Sequence, residues 1–202
     1  MNSQTSPVPE LAEAYRDISS STIGHFGREG HLPGLMPLAP DVSLVGRAFC
    51  VEVHAPDGAI LREALIACPP GAVLMVACVG EAHCACWGEL RSLAALVKGV
   101  AGVVIDGPVT DVRALRQLPL PVFCTGASAY TTRSIGEQGR VGEPVQLAGV
   151  WVRPGDLIVA DDDGVQVLPE GRAWEMLGAF EQKQRQDAER REALFQRWQQ
   201  GG

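Results

Sequence analysis

The stretch CWGELRSLAALVKGVAGVVIDGPVTD, Cys86 to Asp111, holds a helix bracketed by two acidic residues, Glu89 and Asp111, and its polar groups fall at the ends of regular elements. Leu90, Leu93, Leu96 and Val97 recur at helical spacing after Glu89. The chain turns at Gly99, and Val100 to Ile105 is an almost wholly apolar run of strand type, closed by Asp106-Gly107-Pro108. A second helix starts from Asp111. Both carboxylates therefore sit at element ends, where α/β proteins place bound anions and reacting groups. Each also has a plain reading: Glu89 as a favourable first-turn charge and Asp111 as an N-cap.

The elements that must position this pair follow from the rest of the chain. Leu11 to about Ser20 reads as a helix with Leu11, Ala14, Tyr15 and Ile18 on one face. Gly30 to Pro40 is dense in Pro and Gly and reads as loop. Val42 to His54 is a strand pair or one long bent strand, Asp57-Gly58 a turn, Ile60 to Ala67 a helix and Val73 to Val79 a buried strand. Val112 to Leu118 makes a brief helix, Pro121 to Thr125 a strand, and residues 126–143 a glycine- and hydroxyl-rich loop. Short strands at Val145–Val152, Leu157–Ala160 and Val165–Leu168, separated by turns, argue antiparallel pairing. Asp161-Asp162-Asp163-Gly164 is one of those turns; it lacks the spaced ligands of a calcium loop. From Pro169 onward Trp174, Leu177 and Phe180 start a long helix that becomes strongly charged.

Composition narrows the function classes. The chain has 202 residues, 46% of them hydrophobic, and a net charge of −7. One domain of about 1–170 with a helical tail at 171–202 is the expected organisation. The acidic balance and the lack of a basic stripe argue against a nucleic-acid partner. No apolar run approaches the ~20 residues that span a bilayer, and the first residues lack the regions of a signal peptide, so a cytoplasmic location is expected. The glycine fingerprint G-x-G-x-x-G is absent, which argues against a nucleotide cofactor. Cys50, Cys68, Cys78, Cys84, Cys86 and Cys124 read as small core hydrophobes, and His83-Cys84-Ala85-Cys86 lacks the spacing of a zinc knuckle. His25 and His31, in or near glycine-rich loop, read as structural or surface residues, and Trp87 as core or pocket wall.

The motifs CWGEL, GVVIDGPVTD, PVFCTG and PVQLAGVWVRPGDLIVADDDGVQVLP, with the earlier STIGHF, together resemble the RraA-like family. That family includes the 4-hydroxy-4-methyl-2-oxoglutarate/4-carboxy-4-hydroxy-2-oxoadipate aldolases and the regulator of ribonuclease E activity. The likeness covers residues 18–170. It implies an α/β/β/α sandwich resembling swivelling phosphohistidine domains, assembled as trimers or hexamers with sites at subunit interfaces. It also implies that Asp111 holds a Mg²⁺ or Mn²⁺ ion through itself and waters, that Glu89 orients water for proton transfer, and that Gly88, Leu90 and Arg91 form the substrate-binding positions. The amides of Leu90 and Arg91 would take a substrate carboxylate.

One position departs from the aldolase pattern: Thr110 stands where those enzymes carry the arginine that supports the pyruvate enolate. A local substitute is not expected. Counted along a helix from Asp111, Arg113 lies about 200° away; Arg91 has the same difficulty relative to Glu89; and Arg62 is a remote candidate. The resemblance thus implies a divalent-metal-dependent lyase of aldolase or decarboxylase type, acting on a small oxo acid or related carbonyl compound with altered preference. Two other readings stay open: a non-catalytic oligomeric regulator that uses the charged tail as an arm, and an enzyme of different chemistry on the same metal site. Glu181, Asp187, Glu189 and Glu192 are the tail carboxylates that could complete a neighbour's site.

Overall fold

The computed structural model describes residues 8–136 and 138–201. Its first helix is shorter than the periodicity predicts: α1 spans Val8–Ala14, and a separate helix α2 spans Ser20–Gly24. The hydroxyls cause the break. Ser19 Oγ accepts the Thr22 amide at 3.2 Å, which starts α2 and so ends the continuous helix expected through Ser20. Met36–Pro37 forms β1 inside the segment read as loop, paired antiparallel with Phe123 and Cys124. Ser43–Ala55 is one long strand, β2, rather than a pair.

The α/β units come next: α3 (Ile60–Ala67), β3 (Ala72–Gly80), α4 (Glu89–Lys98), β4 (Gly102–Asp106), β5 (Pro108–Val109), α5 (Val112–Leu115) and β6 (Val122–Cys124). The hydroxyl-rich loop holds two short strands, β7 (Gly126–Ala127) and β8 (Gly139–Val141). In the antiparallel set, Val145–Val152, read as one strand, folds back at Ala148-Gly149, both at positive φ, into a hairpin of β9 (Val145–Leu147) and β10 (Val150–Val152). β11 (Leu157–Asp161) pairs with β12 (Gly164–Leu168) as expected. Helix α6 runs Glu170–Gln200.

The main sheet has the order β1-β6-β4-β3-β2-β11-β12, with β8 added beside β2. β2, β3, β4 and β6 pair in parallel, while β11 joins β2 antiparallel. The two ends nearly meet: ahead of β1, the Leu32 amide donates to Val165 O at 3.0 Å, and the Val167 amide donates to Gly30 O at 2.8 Å. The sheet is therefore nearly closed on itself. Its inside is filled by residues such as Leu44, Met75, Val104, Phe123 and Ile158. One outer face carries α3, α4 and α5 over Leu61, Leu74, Trp87 and Ile105. The other carries α1, α2 and the start of α6 over Tyr15, Val159 and Phe180. The layers expected as helices, sheet, sheet and helices thus take the form of one curled mixed sheet with helices on opposite sides. Five of the cysteines are buried within it and Cys78 is half-buried.

Candidate functional site at the start of helix α4

Two backbone segments meet where α4 begins. Trp87 bridges to Val109 in parallel, and the Thr110 amide donates to Trp87 O at 2.8 Å. Trp87 is fully buried in the core, its indole N–H donating to the buried Ser92 Oγ at 2.8 Å, so the approach to the helix is pinned to its first turn. Residues 125–134 lie alongside. The Ser128 amide donates to Val109 O, and the Thr132 amide to Ala85 O, both at 2.9 Å. Asp57 holds the far end of this loop: its buried carboxylate accepts the amides of Ala59, Ile135, Gly136 and Gln138 at 2.8–3.2 Å. These amides, Ile135 first and Ala59 next, keep the Asp57 carboxyl well below the usual carboxylate range.

This frame brings Glu89 and Asp111 together. Asp111 Oδ2 accepts the Glu89 amide at 3.0 Å. Asp111 occupies the N-cap position of α5, as its plain reading expects, but its side chain caps α4 instead. Its backbone is left-handed, φ 55° and ψ 33°, a conformation that costs a non-glycine residue ~1–3 kcal/mol and collects at functional sites. The first intrahelical bond of α4 runs from the Ser92 amide to Gly88 O. The amides of Glu89, Leu90 and Arg91 therefore lack helical acceptors; Asp111 takes the first, and the other two have no acceptor among the described residues, an electropositive pair at a helix start.

Gly88 is buried and must be glycine for steric reasons: a Cβ there would lie 2.4 Å from Asp111 Oδ2 and 2.8 Å from Thr110 Cγ2. Thr110 is half-buried against this contact. The Arg91 guanidinium points away from the carboxylates. It donates to Cys86 O at 2.6 Å and Gly58 O at 3.0 Å, locking α4 to the loop before α3. Arg62 lies on that same side, in a groove beside Leu65, Ile66, Leu90 and Val97, and not with Asp111.

Arg113 differs from its expectation. Because Asp111 is left-handed and outside α5, a rotation counted along a helix from Asp111 does not apply. Arg113 lines the same open depression, about 580 Å³, as Glu89, Asp111 and Gln117. The sequence does carry a signal for this: an N-cap residue is non-helical, so the angular count should begin at Val112.

Could this site hold a divalent cation? Among the described residues no group of three or more His, Cys, Asp or Glu side chains converges, so a cage of protein ligands is not built. The donor set at Asp111 is one exposed carboxylate with a single oxygen engaged by an amide, facing an open depression beside exposed Glu89. That suits a hard ion that keeps most of its waters, as Mg²⁺ does, and not a soft or fully coordinated one.

A family model described as RraA-like, Aldolase/RraA, matches residues 8–167. The chain belongs to this family. A 4-hydroxy-4-methyl-2-oxoglutarate aldolase of Thermus thermophilus is 36% identical over 125 residues, 62% of this chain and 75% of that one. A Halalkalibacterium halodurans relative named provisionally for the same activity is 34% identical over 160 residues, 79% of this chain and 76% of its own. Among solved structures, Streptomyces coelicolor RraAS2, described as an unusual member of the RNase ES inhibitor RraA family, superposes with a TM-score of 0.78 at 30% identity, covering 91% of this chain and 97% of that one. The RraA-like assignment thus rests on both sequence and fold. No helix among the described residues is long and apolar enough to cross a membrane.

Proposed function

We propose that this RraA-like chain is a divalent-cation-dependent lyase of aldolase or decarboxylase type, acting on a small oxo acid. The observation that carries the reading is the acidic pair closed across a helix start with the Leu90 and Arg91 amides left open beside it. In this reading Asp111 holds Mg²⁺ or Mn²⁺ with its oxygen not engaged by the Glu89 amide. When bound, the ion supplies Lewis-acid polarisation of a substrate carbonyl. The two free amides take the substrate carboxylate, Gly88 keeps the approach clear, and Glu89 orients water for proton transfer. Thr110 contributes a hydroxyl where the aldolases have a cation, which shifts the substrate preference.

A homo-oligomer, trimer or hexamer, fits this reading. The groove between α3 and α4 is about 820 Å³, and its apolar walls are open: Ile66 is 64% exposed, Leu90 81% and Val97 87%. It adjoins the site at Leu90, so a second copy seated there covers apolar surface and walls the active site at once.

The test is pyruvate release from oxaloacetate and from 4-hydroxy-4-methyl-2-oxoglutarate with Mg²⁺ or Mn²⁺, with chelator, and with Asp111→Ala. Turnover abolished by chelator and lowered ~10²–10³-fold by Asp111→Ala is expected. Turnover indifferent to both sinks the proposal. A second reading, a non-catalytic regulator, draws on the described role of the RNase ES inhibitor family and on the exposed Leu194, Phe195 and Trp198 near the end of α6. Neither turnover nor cation binding would favour it.

A further inference from the structure

The depression at Asp111 is lined by charges of both signs: the carboxylates of Glu89 and Asp111 and the guanidinium of Arg113, with Gln117 one turn on from Arg113. Arg113 is exposed, and among the described residues no carboxylate lies within ion-pair distance of its guanidinium. The other nearby cations are committed elsewhere. Arg91 is locked onto the carbonyls of Cys86 and Gly58, and Arg62 faces the groove between α3 and α4. A substrate carboxylate set on the Leu90 and Arg91 amides has the positive end of one helix to meet it. A second anionic group on the same molecule would face the Glu89 and Asp111 carboxylates unless a cation receives it.

We propose that Arg113 is the specificity-determining residue of this site, receiving the second carboxylate of a dianionic oxo acid. The assignment rests on the lyase reading above and deepens it. Stabilising a transient oxyanion demands donors fixed in advance. Arg113 has no hydrogen bond to hold its guanidinium among the described residues, so it is suited to a group present already in the bound substrate. A planar guanidinium receives a carboxylate through two parallel N–H bonds, and a single ammonium reproduces only part of that. Thr110, uncharged and pressed against Gly88, cannot do so.

The experiment compares wild type, Arg113→Gln and Arg113→Lys on a dianionic and a monoanionic oxo acid, with Mg²⁺ present. For oxaloacetate, Arg113→Gln is expected to raise KM about tenfold or more while kcat stays within about twofold, and Arg113→Lys to regain part of the loss. Exchange of the methyl protons of pyruvate for deuterium, followed by NMR, is expected to be unchanged, because pyruvate lacks the second carboxylate. An unchanged KM for oxaloacetate, or an equal loss on both compounds, overturns the assignment. Calorimetric binding of 2-oxoglutarate separates this from failure of the lyase reading. Should wild type turn over neither compound, weaker 2-oxoglutarate binding by Arg113→Gln still supports the role of Arg113. Equal binding by the two proteins, or none by wild type, overturns it.

Discussion

A single methyl group added at Gly88 would collide with both Asp111 and Thr110. Gly88→Ala is therefore expected to push the Asp111 carboxylate off the Glu89 amide and to lower kcat/KM by about 10²-fold, the scale on which ~1 Å misplacements act. Circular dichroism should show the fold retained, because the backbone of Gly88 is extended (φ −158°) and open to any residue. At this scale the sequence was informative about identity and silent about conformation. Glu89, Asp111 and Thr110 were found through motif resemblance, and the chain does bring all three to one place. That Asp111 is non-helical follows from its N-cap position, but its left-handed conformation has no signature in its neighbours. The second oxygen of Asp111, free of protein donors, and the open amides of Leu90 and Arg91 likewise emerge only once the first turn of α4 is built.

Among the elements, α4 is held from within and from below. Ser92→Ala leaves the buried indole N–H of Trp87 without an acceptor and should cost about 1–3 kcal/mol in denaturant unfolding, with a larger loss of activity than a remote core change of equal cost. Below it, Asp57 gathers three amides at the end of the loop that flanks the site and a fourth, that of Ala59, in its own turn. Its carboxyl is depressed in the folded protein, so it stabilises the fold above the ordinary carboxylate range, about pH 4, and that contribution drains away as the pH falls further. Asp57→Asn should melt at a lower temperature than wild type at pH 7, and the gap between the two should narrow below about pH 4, as followed by thermal unfolding across pH. Helix α3 was legible to its ends because apolar spacing and a Pro-Pro-Gly stop agree. β1 was not, since two residues including a proline carry no period; its existence depends on β6 offering an edge. The split between α1 and α2 turned on one hydroxyl outcompeting helical propensity, a contest that periodicity does not register.

On the scale of the whole molecule, the parallel units and the terminal antiparallel set were readable from strand length and turn spacing, but the curl that brings β12 back toward β1 was not, because closure is a property of summed twist rather than of any segment. The change of character at Pro169 was also visible: α6 begins as a packed helix, with Phe180 buried against Tyr15 and Phe26, and goes on as an exposed one. The stripe of Leu90, Leu93 and Val97 has the spacing of a core face yet stays open to solvent, while Ser92 and Ala95 on the same helix are buried. Leu93→Glu with Val97→Glu should reduce the sedimentation coefficient to that of a single chain and leave the circular dichroism of the fold intact. That open face has a kinetic corollary. If a neighbour completes the wall of each site, catalytic competence is subject to mass action, and specific activity ceases to be a constant of the protein. Diluted below the dissociation constant of the assembly, the protein should lose turnover per milligram with a lag set by dissociation, and regain it when concentrated. Assays run at nanomolar and at micromolar protein would then report different enzymes from one preparation.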